Sequence, residues 1–184
     1  MPADTDALTI RRATAADAGP LTELALRSFL DAYAAPNDPD DVAAYTARVY
    51  GIAQQAAEIA NPDIATLIGE LDGRMVAYAQ VRRGTTAPGV TDPEAAEIMR
   101  FYVDRPWHGR GIAQRMMDAV LRTARDQGAP SVWLAVWERS PWARAFYAKS
   151  GFRVVGEAVF WLGSDCQDDL VLTRSTEPEG DAQG

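Results

Sequence analysis

Residues 97–128 constrain the fold of this chain more than any other segment. A strand-like run (97–103) is followed by a turn that contains Gly109 and Gly111, and then by a helical pattern that ends at Gly128. The first N–H groups of a helix have no intrahelical partner and carry the positive end of the helix dipole. Glycines allow close approach, and Arg110 adds a cation. The segment therefore predicts a site for a phosphate or pyrophosphate group.

The spacing of the glycines excludes the two commonest phosphate motifs. A Walker loop requires four residues between its glycines and then Gly-Lys-Ser/Thr, which this chain lacks. A dinucleotide fingerprint requires a third glycine where Gln114 stands, and it belongs to the first strand of a βαβ unit. An ordinary turn between a strand and a helix remains the alternative without a ligand.

Two motifs resemble the Gcn5-related N-acetyltransferases. Residues 108–113 read HGRGIA, which is similar to that family's acyl-CoA loop, Gln/Arg-x-x-Gly-x-Gly/Ala, with His108 departing at the first position. Residues 143–152 read ARAFYAKSGF and resemble its second signature, Ala-x-x-Phe/Leu-Tyr-x-Lys-x-Gly-Phe. The chain is identified as a member of this superfamily. Residues 97–103 and 160–169 also look like the branch that includes bacterial polyamine acetyltransferases.

The fold class that the resemblance implies is α/β (α+β): one domain with a mixed, twisted sheet of about six to seven strands and helices on both faces. A length of 184 residues with 47% hydrophobic content agrees with one domain. Strands are predicted near 8–11, 66–70, 75–81, 97–103, 131–136, 154–160 and 169–173, and helices after Thr14, after Asp38, over 53–59 and after the glycine turn. Asp72-Gly73 predicts a hairpin turn. We expect a domain over 1–174, a surface loop or lid over 83–94, and a disordered polar tail over 175–184.

The resemblance implies acetyl-CoA (coenzyme A) as cofactor. Its pyrophosphate would bind the turn and helix start, and its pantetheine arm would bond the end of the strand at 97–103, beside a second parallel strand that splays away. Ser140 stands where the family often has an asparagine, so that contact would be shortened or lost. His108 is expected to be a loop residue rather than a base. The predicted cofactor-binding residues are Phe101, Tyr102, Val103, His108, Gly109, Arg110, Gly111, Ile112, Ala113, Ser140 and Tyr147.

Acetyl transfer to a primary amine needs a proton acceptor and a proton donor. Removing the proton of a lysine-type amine at pH 7 costs about 4.6 kcal/mol. By the resemblance, Glu97 is the candidate base, acting directly or through water, and Tyr147 is the candidate acid at the cofactor sulfur. The alternatives are a Glu97 that is solvated or paired with Arg100, and a Tyr147 that is packed in the core.

The acceptor site is predicted from aromatic and acidic residues, which suit a protonated amine but also suit an ordinary core. The candidate substrate residues are Phe29, Tyr33, Tyr78, Trp137, Glu138 and Trp161. A spermidine-like polyamine is the first acceptor to consider, a protein N-terminus or lysine the second, and an antibiotic amine the third. A rival of another class is a non-catalytic acyl-CoA-binding sensor.

Composition limits the partners. The net charge of −8 argues against nucleic acid, and the single cysteine, Cys166, excludes an internal disulfide. With one histidine in the chain we expect no metal site. The chain has no signal-like start and no apolar run of membrane-spanning length. We expect a cytoplasmic monomer or homodimer that acts on a small-molecule or peptide amine, without nucleic acid or membrane.

Overall fold

The structure, a computed structural model, describes residues 7–177. Its seven strands are β1 (Thr9–Arg12), β2 (Ile64–Leu71), β3 (Arg74–Arg82), β4 (Ala96–Val103), β5 (Ser131–Trp137), β6 (Arg153–Leu162) and β7 (Asp165–Ser175). The five helices are α1 (Ala18–Tyr33), α2 (Pro39–Val49), α3 (Ile52–Ala60), α4 (Ile112–Asp126) and α5 (Pro141–Lys149). Short 3₁₀ turns cover Ala15–Asp17 and Arg105–Trp107. The predicted α/β fold class is confirmed.

The strands form one mixed sheet in the order β1-β2-β3-β4-β5-β7-β6. All neighbours are antiparallel except β4 and β5, which are parallel. These two strands pair at only two positions, Ala96 with Val132 and Glu97 with Trp133. Beyond that point they diverge, so the sheet opens at its centre. The splayed pair that the resemblance implied is present.

Apolar cores cover both faces of the sheet. On one face, α4 buries Ile112, Met116 and Val120 in a core that also contains Tyr147 of α5. On the other face, Phe29 of α1 and Tyr50 pack with Tyr78 of β3. Alternate residues of β4 contribute to the two cores, as the two-residue period of a strand requires. The opening between β4 and β5 therefore connects the two faces of the domain.

Local signals in the sequence placed most of the element ends. The Asp38 carboxylate accepts hydrogen bonds from the N–H groups of Asp40 and Asp41, and Pro39 begins α2, as predicted. Asp72 and Gly73 both have positive φ, as a two-residue hairpin turn requires. Gly128, also at positive φ, follows the end of α4.

The loop between β3 and β4 is held against β6 rather than over the opening of the sheet. A Cβ on Gly89 would lie 2.0 Å from the carbonyl oxygen of Val155, and one on Gly156 would lie 2.2 Å from that of Pro88. Only glycines permit this approach. Ala87 and Val90 pack beside Trp133 in a third small core. The structure thus gives this segment the position of a packed surface loop rather than of a lid.

The sheet extends past the predicted start of the polar tail at residue 175. Ser175 belongs to β7, and Thr176 is buried, with its hydroxyl donating to the carbonyl of Ala129 at 2.8 Å. The domain boundary at 174 stays a prediction. Residues 178–184 of the predicted tail lie outside the described residues, as do residues 1–6 of the predicted domain.

Within residues 7–177, none of the helices combines the length and apolar character needed to cross a bilayer.

Candidate active site

A bulge in β4 lies at the centre of the opening. Gln80 of β3 pairs with Arg100, whereas Val81 pairs with Ile98, so Met99 is an additional residue on β4. Bulges redirect side chains and interrupt strand pairing. After the bulge, Asp104 N–H donates to the carbonyl of Val76. Because bonding alternates along an antiparallel ladder, the backbone groups of residues 101 and 103 point away from β3, toward the opening.

One side of the opening is a cavity of about 600 Å³, called here the larger cavity. It is bounded by the end of β4, by β5, and by the N-terminal part of α5 with Trp142 and Ala143. Six of the predicted cofactor-binding residues line it: Phe101, Tyr102, Val103, His108, Ser140 and Tyr147. The remaining five, residues 109–113, form the turn that leads from His108 into α4.

The glycine turn has the geometry of an anion site. Gly109 and Gly111 have φ of +73° and +77°, and no atom would come within 4 Å of a Cβ on either. The N-terminus of α4 begins directly after Gly111, while Ile112 itself is 1% exposed and fixes the helix in the core. Residues 112 and 113 therefore offer backbone N–H groups rather than side chains. The Arg110 guanidinium lies 4.9 Å from the centre of the Trp107 ring.

His108 closes the turn onto the end of β4. Its Nε2 lies 2.7 Å from the carbonyl oxygen of Val103. Because a carbonyl only accepts, the hydrogen must be on Nε2, so the ring is held as a donor. This contact gives the residue that departs from the family pattern a structural role in the loop.

Tyr147 lies at the wall of the larger cavity between aromatic neighbours. Its ring meets the rings of Phe101, Phe146 and Phe152 edge-on, with centroids 5.4 to 6.4 Å apart. Burial raises the pKa of the Tyr147 phenol well above its ordinary value of 10. The hydroxyl is consequently protonated at neutral pH and can donate a hydrogen bond into the cavity.

The other side of the opening is a cavity of about 240 Å³, called here the smaller cavity. It is lined by aromatic residues from α1, α2, β4, β5 and β6, together with polar residues of β4 and β7. Three predicted substrate residues, Phe29, Tyr33 and Trp137, are among them. The two cavities share six lining residues at the bulge and splay: Tyr33, Ile98, Met99, Arg100, Tyr102 and Ala135.

The other three predicted substrate residues lie elsewhere. Tyr78 is fully buried, its ring stacks on Tyr102 at 5.6 Å, and it lines neither cavity. Glu138 is exposed directly after β5, lines neither cavity, and its backbone carbonyl accepts a hydrogen bond from Arg144. Trp161 is 56% exposed on edge strand β6. The structure therefore does not bring these three together with the opening.

Glu97 lines the smaller cavity and is already engaged by the protein. Its Oε2 accepts hydrogen bonds from Arg82 Nη2 at 2.6 Å, from Arg82 Nε at 3.0 Å and from Thr85 Oγ1 at 3.0 Å. Arg82 is its direct neighbour on β3. The predicted alternative, a pair of Glu97 with Arg100, is therefore wrong. Glu97 pairs with Arg82 because the two side chains are direct cross-strand neighbours.

Arg100 instead joins a buried polar network behind the smaller cavity. Its Nη1 donates to Glu58 Oε2 at 2.6 Å and to the side-chain oxygen of Gln80. Gln80 also donates to Glu58 at 3.0 Å. The buried arginine and its carboxylate neutralise each other, which fixes α3 against the sheet at the level of the bulge.

Asp169 is the acidic residue of the smaller cavity that sequence reasoning missed. It is 8% exposed, and its Oδ1 has no hydrogen-bond partner. Burial, with a smaller contribution from Asp168, raises the pKa of Asp169 to about 6. A signal was available: Gln167 and Asp169 alternate with exposed residues along β7 and share the inward face of Val171. Polar residues at inward positions of a strand indicate a site.

No group of three or more His, Cys, Asp or Glu residues within the described part of the chain could hold a metal ion.

Comparison with known proteins agrees with this geometry. The model of the acetyltransferase (GNAT) family matches residues 23–152. An uncharacterized N-acetyltransferase of Mycobacterium tuberculosis is 35% identical over 158 residues, which are 86% of this chain and 97% of that protein. The N-alpha-acetyltransferase RimI of the same species is 31% identical over 156 residues, 85% of each chain.

Among solved structures, the PaiA N-acetyltransferase of Thermoplasma acidophilum, in complex with coenzyme A, superposes with a TM-score of 0.75. It is 19% identical and covers 91% of this chain and 98% of its own. This likeness supports the fold, while the family model and the curated relatives support the type of enzyme. The chain belongs to the acetyltransferase (GNAT) family and is an N-acetyltransferase.

Proposed function

We propose that this enzyme moves the acetyl group of acetyl-CoA directly to a primary amine, with the donor in the larger cavity and the acceptor in the smaller one. The observation that carries the proposal is the wall the two cavities share at Met99 and Ala135. Two reactants that enter from opposite sides would meet at the bulge of β4. Such an arrangement favours direct attack, because both reactants can be held next to each other in one site. No side chain of the enzyme then has to carry the acetyl group.

Acetyl-CoA is the acetyl donor of this family, and the residues of the larger cavity fit it. The turn at Gly109 and Gly111 leaves open space above unpaired helix N–H groups, where a pyrophosphate would bind. The backbone groups of Phe101 and the N–H of Val103, which lack a partner on β5, would bond the pantetheine amides as an added strand does, while the Val103 carbonyl accepts from His108. When bound, acetyl-CoA supplies an activated thioester carbonyl.

Tyr147 would act on the leaving sulfur. Its hydroxyl is protonated at neutral pH, since a phenol ordinarily has a pKa near 10 and burial raises the pKa of Tyr147 further. A neutral phenol at the wall of the cavity can donate a hydrogen bond to a developing thiolate and pass it a proton. The aromatic contacts with Phe101 and Phe152 hold the ring in place, so the hydroxyl needs no reorganisation.

Glu97 remains a prediction as the proton acceptor. Its position on the smaller cavity supports the assignment, whereas its ion pair with Arg82 opposes it. The three hydrogen bonds from Arg82 and Thr85 also give it a second role, since they join β3, β4 and the loop that follows β3. Because all three donors bind Oε2, a direct or water-mediated proton transfer would have to use Oε1 of Glu97.

The acceptor we propose first is a polyamine or a similar aliphatic amine. A cavity of about 240 Å³ lined by aromatic rings and an acidic side chain suits a narrow, cationic chain. The relationship to RimI, an N-alpha-acetyltransferase, favours a protein N-terminus as the second candidate. A lysine side chain and an antibiotic amine are further alternatives, and the sensor module without catalysis is the alternative of another class.

The test measures CoA release from acetyl-CoA with spermidine, peptides with a free N-terminus or a lysine, and aminoglycosides. We expect an aliphatic polyamine to give the highest kcat/KM. Faster release with an N-terminal peptide would instead support a protein acceptor. Acetyl-CoA binding by calorimetry without release by any amine would favour the sensor module.

A further inference from the structure

The Asp169 carboxylate differs from every other buried acid in the described residues. Four acidic residues are less than 9% exposed: Asp17, Glu58, Asp104 and Asp169. The first three form ion pairs with Arg11, Arg100 and Arg27 respectively, at 2.6 to 3.0 Å. No arginine or lysine of the part of the chain that the structure describes pairs with Asp169. Its charge is the only one of the four that the protein leaves uncompensated.

An uncompensated buried carboxylate is costly, because it loses water without gaining a partner. The Oδ1 atom of Asp169 is buried and has no hydrogen-bond partner among residues 7–177, and the residue keeps 8% exposure. Proteins retain such groups where a ligand supplies the missing contact or where the shifted proton affinity is used. Asp169 also faces a cavity rather than packed core.

The surroundings of Asp169 favour a cation. Tyr33 of α1, Tyr45 of α2 and Trp137 of β5 line the same cavity and offer aromatic faces. Burial raises the pKa of both tyrosines, so neither adds a negative charge at neutral pH. Arg100 also lines the cavity, but Glu58 already neutralises it. The smaller cavity therefore holds one negative charge that has no counter-ion.

We propose that Asp169 binds the ammonium group of the acceptor amine and takes its first proton. This assignment rests on the proposed function, since it makes the smaller cavity the acceptor side of the opening. The acceptor it selects is a primary aliphatic amine that arrives as a cation. Aromatic rings beside a single carboxylate bind that group by charge and by cation–π contact.

The proton balance of the transfer is simple. The ammonium gives one proton to Asp169, which passes it to solvent, and the neutral nitrogen attacks the thioester carbon. A carbon–nitrogen bond forms, the carbon–sulfur bond breaks, and the nitrogen loses its second excess proton. The thiolate takes one proton from Tyr147, and the second proton from the nitrogen restores the phenol through solvent. The products are an amide, the thiol and one released proton.

The pH dependence follows from the state of the carboxylate. When the pH is below its pKa of about 6, Asp169 is protonated and can neither hold a cation nor accept a proton. We therefore expect kcat/KM for the amine to fall as the pH drops through 6. The groups whose charges interact with Asp169 are Asp168 on its own strand, Tyr33 on α1 and Tyr45 on α2. Its neighbours Trp137 on β5 and Ala158 on β6 do not titrate.

The experiment compares Asp169→Asn with Asp168→Asn in the full chain. Asp168 is the adjacent, exposed residue of β7, so the second variant makes the same chemical change outside the cavity. We expect Asp169→Asn to lower kcat/KM for the amine at least 100-fold, to remove the fall near pH 6, and to leave the Kd of acetyl-CoA unchanged. Asp168→Asn should keep kcat/KM and the Kd of acetyl-CoA within twofold of the wild type at neutral pH. It should retain the fall in kcat/KM, moved to slightly lower pH, because the Asp168 charge contributes to the raised pKa of Asp169. A loss below threefold with the fall near pH 6 retained would overturn the assignment.

A second measurement separates this proposal from the proposed function. Thermal stabilisation by spermidine, measured without acetyl-CoA, reports binding alone. We expect spermidine to stabilise the wild type and Asp168→Asn but not Asp169→Asn. Equal stabilisation of all three, or of none, would overturn the ammonium site. Stabilisation that depends on Asp169, but without CoA release by any amine, would support the site and reject amine acetylation.

Discussion

The two sides of the opening share residues at the bulge but differ in how their binding groups are distributed along the chain. The larger cavity is lined by β4 and the segment up to His108, with residues of α1, β5 and α5, and the glycine turn continues from His108 into α4. Side chains of the smaller cavity come from six separate elements: α1, α2, β4, β5, β6 and β7. Asp169 and Tyr33, which face the same space, are far apart in sequence.

The difference lies in which atoms recognise the ligand. On the larger side, backbone groups would make most of the proposed contacts with acetyl-CoA, so the chain must adopt particular backbone angles and leave certain side chains out. That need produces a glycine spacing that is visible in the sequence. On the smaller side, side chains would recognise the proposed acceptor, and each is also a reasonable core residue. A site of that kind leaves no local pattern.

The sharpest test of the backbone side is Gly111→Val. Gly111 has φ of +77°, and a β-branched residue there is strained and would fill the space left for the anion. We expect acetyl-CoA affinity to fall at least 1,000-fold, beyond calorimetric detection. The valine would distort the turn, and the charge-assisted contacts with the pyrophosphate would then be lost.

The matched control is Gly73→Val in the β2–β3 turn. Gly73 has φ of +73° and equally open surroundings, so the strain is similar, about 1–3 kcal/mol, but no cavity is near. We expect both variants to lose similar stability in denaturant unfolding, and only Gly111→Val to lose acetyl-CoA. Equal loss of affinity in both would mean that Gly111 acts through stability.

The same distinction decides which features of the fold and the site could be predicted from the sequence. The strand, turn and helix around Gly111, the hairpin at Asp72 and the helix start at Asp38 were all predicted, because each is specified by neighbouring residues. The partner of Glu97 was not, because it depends on which strand lies beside β4. Asp169 was missed as a site residue for the same reason: only the folded sheet places β7 next to α1 and α2.

Tyr147→Phe tests whether the larger cavity supplies chemistry as well as binding. Removing the hydroxyl keeps the ring contacts with Phe101 and Phe152, so we expect an unchanged Kd for acetyl-CoA and a kcat about 100-fold lower. Tyr78→Phe is the control, since it removes the hydroxyl of a buried tyrosine that lines neither cavity. If Tyr78→Phe lost kcat to the same degree, the assignment of Tyr147 would be wrong.

The stability of Asp169→Asn tests whether the unpaired charge of Asp169 destabilises the folded protein. The pKa of Asp169 is raised to about 6 in the folded protein, against about 3.9 when unfolded. Ionisation of the buried carboxylate therefore lowers the free energy of unfolding. The wild type keeps its full stability below pH 4 and loses this contribution as the pH rises through 6. Asparagine cannot ionise, so at pH 8 we expect the variant to unfold about 2–3 kcal/mol less readily than the wild type. At pH 4 the two should coincide. A variant that is less stable at pH 8 would show that the carboxylate has a partner.

Glu97→Gln distinguishes the two carboxylates of the smaller cavity, and its expected effect is the smallest. Glu97 is held by Arg82 and Thr85, whereas Asp169 is not held, so Glu97 should matter more to the sheet than to the reaction. We expect about 1 kcal/mol less stability, because a partly exposed ion pair is lost, and a kcat/KM within threefold of the wild type. Asp63→Asn, which breaks the more exposed pair with Arg83, should change neither. A 100-fold loss of kcat for Glu97→Gln, with acetyl-CoA binding intact, would instead make Glu97 the proton acceptor, and the unpaired charge of Asp169 would then serve only to bind the amine.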